Sequence, residues 1–497
     1  MNPARLNTAW WGHHGNPAVI AGGVQWPAYR PGEHGVGIVH LGPGAFHRAH
    51  QAVYTDTALA ACGGDWRVTG VSLRSRDVAR ALNPQDGLYT VLERGPRASA
   101  ARVIGSVAGV LALADQPEQV RQALVAPGTR IVSLTVTEKA YGIQRASGHI
   151  IESHPAVVHD LQHPEAPTGV LGLLLWALRE RKRRASAPFT VLCCDNLPEN
   201  GRLLRAGVLD MARHLAPQCQ AWIIEQVAFP GTMVDRITPA STAATLDDAR
   251  KATGCIDLAA VETEPFSMWV IEDHFPQGRP AWEQAGAQLT HDVTPYEQMK
   301  LRMLNGAHSL LAYTGHVAGH ALVRDAMADP VFEAAVRRHL QAAASSLSCP
   351  PAMDLGAYAQ ALMARFSNPA IAHQTAQIAM DGTEKMPQRI LIPAAEVLAR
   401  SGDLRPFALA TAAWMRYCLG RTDAGGFYSL QDPRAEEIIR CLQGQAARAS
   451  HIVAALQGLP GLFPASLCQT PQWKALVAGY LDRMLAAGVR STLGELC

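Results

Sequence analysis

The sequence predicts an α/β protein: a mostly parallel sheet with covering helices first, then a mostly α-helical domain. Three observations predict it. From residue 36 to about 290, short β-branched runs alternate with Ala/Leu-rich stretches of helical period, as when crossover helices join parallel strands. After about 290 the strand-like runs stop, and long amphipathic stretches rich in Ala, Leu, Met and Arg take over. A chain of 497 residues, 48% of them hydrophobic, has material for more than one core. The expected division is 1–34, an extended lead-in; 35–290, the sheet domain; and 291–497, the helical domain.

The lead-in is rich in Gly, Pro, Trp and His and has no period. The strand candidates follow in order: "VGIVHL" (36–41), "RVTGVSL" (67–73), "RIVSLTVT" (130–137), "FTVLCC" (189–194) and "QAWIIEQVAF" (220–229). Helical patterns lie between them, as at 52–62 and 168–184. The second half offers helices at 296–318, 331–347, 355–366, 406–419, 433–457 and 471–488. Trp414, Met415 and Arg416 lie on one of these as core and rim.

The formal net charge of +2 and the single short basic run at 179–184 argue against nucleic acid as a partner. No window approaches the roughly 20 apolar residues of a membrane span, and no secretory leader pattern opens the chain. The ten cysteines form no CxxC pair and no zinc-ligand cluster with histidine. The expectation is a cytoplasmic protein with reduced thiols and no metal.

The run "VGIVHLGPGAFHRAHQ" (36–51) is a strand, then Gly42-x-Gly44, then a helical stretch. Glycines so placed permit a tight turn and close backbone approach to a pyrophosphate at a helix N-terminus. The third glycine of the usual pattern is missing, and His47 stands there. His47 and Arg48 either approach the phosphates or lie on the helix surface. The second strand runs into "LRSRD" (73–77), where Asp77 is the candidate for the adenosine ribose hydroxyls and favours NAD. Arg76 beside it leaves NADP open.

Further stretches stand out: "SLTVTEKAYG" (133–142), "CDNLPENG" (194–201), "FPGTMVDRITP" (229–239), "EPFSMWVIEDHFPQGRPAW" (264–282) and "KLRMLNGAHS" (300–309). With "GAFHRAHQ", they resemble, in order and over nearly the whole chain, the polyol-specific long-chain dehydrogenases/reductases, the mannitol dehydrogenase family. The resemblance implies a Rossmann-type N-terminal dinucleotide-binding domain followed by a mostly α-helical C-terminal domain. It also implies a nicotinamide cofactor at Gly42, Gly44, Phe46 and Asp77, and metal-free catalysis by a lysine. The family's K-x-x-x-x-N-x-x-H pattern falls on Lys300, Asn305 and His308, and its upstream asparagine on Asn196.

The chemistry wants such groups. Hydride transfer to a ketone leaves an oxygen that must gain a proton. A lysine in a desolvated cleft has its pKa lowered towards working pH and can act as acid and base. Amide N–H groups of Asn196 and Asn305 would converge on the oxygen, and His308 would hold a neighbouring hydroxyl. On an α-helix Asn305 and His308 lie about 140° and about 80° around from Lys300. Glu297, one turn earlier, is a candidate proton relay or a group that tunes the lysine.

Uronate and polyol members share this set, so discrimination must lie beside it. Burying a carboxylate requires a cation or several donors. Lys139 in "TEKAYG" and Arg302, two residues past the lysine, are the candidate cations; each has the alternative of a surface or salt-bridged role. His373 and "KMPQR" (385–389) resemble the fructuronate reductases. The expected activity is NAD-dependent reduction of D-fructuronate to D-mannonate by a monomer. The alternatives are a mannitol or arabinitol dehydrogenase, and a catalytically inactive dinucleotide-binding regulator. Asp195 at a strand end and the Asp235–Arg236 pair are expected to be structural.

Overall fold

The computed structural model describes residues 4–14, 23–145, 147–350, 353–444 and 448–495. The chain divides into two compact units, Met1–Thr294 and Pro295–Cys497. The described strands all belong to the first: β1 (Val36–Leu41), β2 (Arg67–Ser72), β3 (Tyr89–Arg94), β4 (Ser99–Ile104), β5 (Val107–Ala112), β6 (Ile131–Leu134), β7 (Thr190–Cys193), β8 (Thr232–Asp235), β9 (Val261–Thr263), β10 (Met268–Glu272) and β11 (Gln288–Thr290).

The main sheet has the order β5-β2-β1-β6-β7, with every neighbouring pair parallel. β6 and β7 are buried along their whole length, as strands covered by helices on both faces must be. The order reverses at β1, with β2 on one side and β6 on the other. This is the Rossmann arrangement, whose ligand crevice lies beyond the carboxyl ends of the strands at the reversal. Two three-stranded sheets, β11-β10-β8 and β4-β3-β9, complete the unit.

Three differences from the sequence reading have physical causes. The run 220–229 is not a strand: Gln220–Gln226 is helical. Within the helix Ile223 is buried and Ile224 exposed, and the residues four before and four after Ile223, Cys219 and Val227, are buried too. That four-residue spacing is helical, and the β-branched pair at its centre misleads. The stretch 433–457 is two helices, Ala435–Leu442 and Ala449–Gln457, with Gly444 between them at φ +73°. The lead-in is more than extended chain. Thr8–His14 is helical, and the rings of Trp10 and Trp11 stack on Trp26 at 5.8 and 5.9 Å. Leu6, Val24 and Trp26 close a small core with Leu88, Val103 and Cys255. The part of the lead-in at 1–3 and 15–22 lies outside the described residues, as does Cys497. The other nine cysteines carry no disulfide.

Every described strand being in the first unit, the second is helical. Its centre is formed by Gly306–Ala318 and Arg405–Tyr417, both buried on nearly every side, as central helices must be. Trp414 and Met415 are core. Arg416 ties the rim, donating to Asp423 at 2.8 Å and to the Arg421 carbonyl at 2.7 Å.

Candidate active site

The glycine turn follows β1 at the point where the strand order reverses. Gly42 has φ +87°, and a Cβ there would stand 2.3 Å from the Thr135 carbonyl oxygen. Only glycine fits. Gly44 opens the short helix Ala45–Ala49. A Cβ on it would meet nothing closer than the Gly42 oxygen at 3.9 Å, so the space outside the turn is open. These two positions fit the expected role of admitting a pyrophosphate to the backbone.

His47 explains the missing third glycine. Its ring stacks on that of His40 from β1, centroids 3.5 Å apart and planes 16° apart. Both are buried. Where a glycine would let helix touch strand, two imidazoles fill the gap. His47 is therefore neither a surface group nor a free phosphate ligand. Arg48 is turned inward too, donating to the carbonyls of Ala259 and Gly44. Phe46 is half-buried and stacks on His50 at 5.1 Å.

His40 sets the turn through hydroxyls. Thr135 Oγ1 donates to the Gly42 carbonyl at 2.8 Å and lies 2.8 Å from His40 Nε2. One hydroxyl has one proton, so His40 donates from Nε2 and its Nδ1 accepts from Ser133 Oγ, 2.8 Å away.

Asp77 is exposed at the start of Asp77–Leu82, where it accepts from Ser75 Oγ at 2.7 Å. Arg76 does not stand open beside it. Its Nε and Nη2 hold the Asp115 carboxylate at 2.6–2.8 Å.

The ends of β6 and β7 are clamped together. Asp195 accepts from the backbone N–H groups of Val136 and Thr137 at 3.0 and 3.1 Å and from the Tyr141 hydroxyl at 2.5 Å. Thr137 sits at φ +72°, a conformation a β-branched residue adopts only when held. Burial raises the Asp195 carboxyl, and these three bonds oppose that rise. Asn200 is buried and joins the Asp195 carbonyl to Thr232. A Cβ on Gly201 would meet the Phe229 oxygen at 2.5 Å. Most of "CDNLPENG" thus builds a support, and Asn196, in the bend after β7, is exposed, as is Glu199. Lys139 is exposed on the clamped loop. Arg236 is buried and pairs with Glu93 at 2.5 Å while donating to the Ala49 carbonyl at 2.6 Å, a structural role.

In the second unit, Lys300–Asn305 is a π-helical turn, not α-helix. The Gly306 N–H reaches back five residues to the Leu301 carbonyl. A π-turn takes more residues per turn than an α-turn, so Asn305 is drawn round towards the side of Lys300, where α-helical geometry would put it about 140° away. Lys300, Asn305 and His308 are all buried. Neither the Asn305 amide nitrogen nor His308 Nε2 has a hydrogen-bond partner among the described residues. A buried polar group left open calls for a partner, and a ligand is one group that can supply it. Glu297 is buried on the preceding helix Thr294–Met299. His373 stands edge-on to His308 at 5.1 Å.

A second π-helical turn, Pro387–Leu391, packs on the first. A Cβ on Gly306 would meet His339 Nε2 at 2.7 Å and the Arg389 carbonyl at 3.2 Å, so this glycine permits the contact.

Arg302 requires a correction. It is buried, and its guanidinium grips Glu396 with two bonds of 2.6 and 2.9 Å and donates to the Ser346 carbonyl at 2.8 Å. Its charge and donors are used within the protein, so it is not offered to a substrate carboxylate.

Burial holds several histidines neutral. It lowers His40 to about 3 and His339 to about 4. It also holds His47 well below its usual range, helped by His40, and His308 likewise, helped by His373 and Arg365. Below about pH 6.5 the unfolded chain binds protons these sites refuse. Stability is therefore expected to fall as pH drops from about 6.5 towards 4, by about 1 kcal/mol per pH unit for each such histidine. Urea midpoints between pH 7 and 5 check this, and a flat profile would refute it.

Two family models match the chain: the mannitol dehydrogenase Rossmann domain over residues 36–284 and the mannitol dehydrogenase C-terminal domain over residues 292–484. D-mannonate oxidoreductase of Escherichia coli (strain K12) is 43% identical over 92% of this chain and 95% of its own. Mannitol 2-dehydrogenase of Aspergillus terreus (strain NIH 2624 / FGSC A1156) is 37% identical over 95% of both chains. The solved Pseudomonas fluorescens mannitol 2-dehydrogenase, a ternary complex with NAD and D-mannitol, superposes with a TM-score of 0.85 at 37% identity over 99% of both chains.

Proposed function

The chain belongs to the mannitol dehydrogenase family of oxidoreductases, and from that premise we propose that it reduces D-fructuronate to D-mannonate with NADH, reversibly. The observation that carries the chemistry is the π-helical turn, which carries both Lys300 and Asn305 buried and leaves the Asn305 amide open. The uronate is favoured by the higher identity to the D-mannonate oxidoreductase than to the mannitol 2-dehydrogenase.

The nicotinamide cofactor supplies the hydride. Gly42 and Gly44 admit its pyrophosphate, Phe46 flanks it, and Asp77 takes the ribose hydroxyls. Lys300 gives a proton to the ketone oxygen in reduction and takes it from the carbinol in oxidation. The amides of Asn196 and Asn305 donate to that oxygen while it carries negative charge. His308, neutral through burial, holds an adjacent hydroxyl, with His373 beside it. Glu297 passes protons between Lys300 and solvent. Lys139, exposed on the loop after β6, draws the acidic substrate in by its charge.

The second reading, a mannitol 2-dehydrogenase, is favoured by the full-length match to the solved mannitol complex. An inactive regulator has no use for a buried open amide, which costs stability unless a ligand completes it. Steady-state oxidation of NADH and NADPH by D-fructuronate and D-fructose separates these readings. The expected result is a kcat/KM for fructuronate with NADH at least about 100-fold above that for fructose. A preference for fructose would favour the polyol reading, and no turnover of either would favour the regulator.

A further inference from the structure

With Arg302 locked to Glu396, a buried uronate still needs a cation, and the second unit holds one that the protein does not satisfy. Arg389 lies on the π-helical turn Pro387–Leu391. Its Nη1 donates to Ser309 Oγ at 3.1 Å and, at 3.4 Å, to the carbonyl of Asn305. Its Nε and Nη2 make no hydrogen bond among the described residues. An arginine has five N–H donors in a planar fork, so a whole edge of this one is open.

No acid forms an ion pair with it among the described residues, and Asp381 acts on it only at longer range. Lys385, one turn earlier, is itself a cation, and its ammonium is spent on the Ile378 and Met380 carbonyls at 3.3 and 2.5 Å. Of the nearby acids, Asp381 lies 3.9 Å from Lys385, and Asp432 accepts from the Thr383 N–H and hydroxyl at 2.8 and 2.6 Å. The Tyr313 hydroxyl close by is buried without a partner. Burial depresses both cations, Lys385 to about 8 and Arg389 to about 10, and Arg389 also helps keep His308 neutral. The result is a buried guanidinium beside the residues proposed to hold the substrate, with one donor edge unfilled.

We propose that Arg389 is the carboxylate-binding residue of the site, its open Nε/Nη2 edge taking both oxygens of the sugar acid. The carboxylate of a keto-uronate stands at the opposite end of the chain from the ketone. Arg389 bonds the Asn305 carbonyl and the Ser309 hydroxyl, which fixes its guanidinium beside the turn that carries the proposed reacting residues. Its fork geometry explains why an arginine stands here and not a lysine. Neutral ketoses would leave the edge open and gain nothing from it.

The inference rests on the keto-uronate reading, and the test separates the two. The ratio of kcat/KM for D-fructuronate to that for D-fructose is measured for the wild type, Arg389→Met and Arg389→Lys. The expected result is a ratio about 100-fold lower in Arg389→Met, the scale of a lost charged bidentate contact. In Arg389→Lys, which keeps charge but not the fork, it should be about 10-fold lower. A wild type that prefers fructose overturns the keto-uronate reading itself. A wild type that prefers fructuronate, with a ratio unchanged in whichever variant folds, overturns the assignment of Arg389 alone and leaves it a staple between the two turns.

Discussion

Replacing Lys300 by alanine is expected to lower kcat for ketone reduction by about 1,000-fold while NADH affinity stays within about twofold. The side chain is buried in a π-helical turn, a place where a packing role alone would be filled better by leucine or methionine. Burying an ammonium is costly, and the proposed return is a proton donor held against the substrate oxygen. The loss should fall on kcat for every substrate alike, because each ketone oxygen needs the same proton. Single-turnover reduction followed at 340 nm, with NADH binding read by fluorescence titration, makes the separation. A kcat reduced less than about tenfold would remove Lys300 from the acid/base role.

Asn305→Leu is expected to lower kcat by about 100-fold, the scale of one lost oxyanion donor, and yet not to destabilise the protein. The buried amide nitrogen lacks a partner among the described residues. An apolar side chain of similar shape removes a polar group that costs roughly 1–3 kcal/mol to leave unsatisfied. The thermal midpoint should therefore hold or rise while activity collapses. A residue needed only for packing would show the reverse, a lower midpoint with activity following the folded fraction. Thermal melts and steady-state kinetics on the same preparation distinguish the two.

These two residues show what the sequence could and could not reveal. The alternation of β-branched runs with helical stretches was enough for the parallel sheet and the helical second unit, because covered strands and their covering helices differ in period. It failed at 220–229, where two adjacent isoleucines imitate a strand although burial recurs every fourth residue. The glycine turn was legible but not the reason for its missing third glycine, since the partner of His47 is a strand histidine that the motif does not include.

The residues proposed to react stand out through their spacing and family likeness. Their geometry does not, because six residues of π-helix carry no pattern that separates them from α-helix. On an α-helical wheel Asn305 lies far around from Lys300, and the wider π-turn narrows that separation. The cation question went astray for a related reason. Arg302 stands close to Lys300 in sequence, and nothing local shows that Glu396, 94 residues on, will take its charge. Arg389 is almost as remote, 84 residues past Asn305, in a stretch that stands out for its likeness and not for its charge. Which of two arginines keeps a free edge is decided by tertiary partners alone.

The central claim is that this site reduces a keto-uronate in preference to a neutral ketose. The most direct test is a competition, in which the wild-type protein is given equimolar D-fructuronate and D-fructose with a limiting amount of NADH deuterated at the transferred position. The ratio of labelled products is the ratio of the two kcat/KM values. The account predicts deuterium almost wholly on the new carbinol carbon of D-mannonate; a label found mainly in mannitol would contradict it.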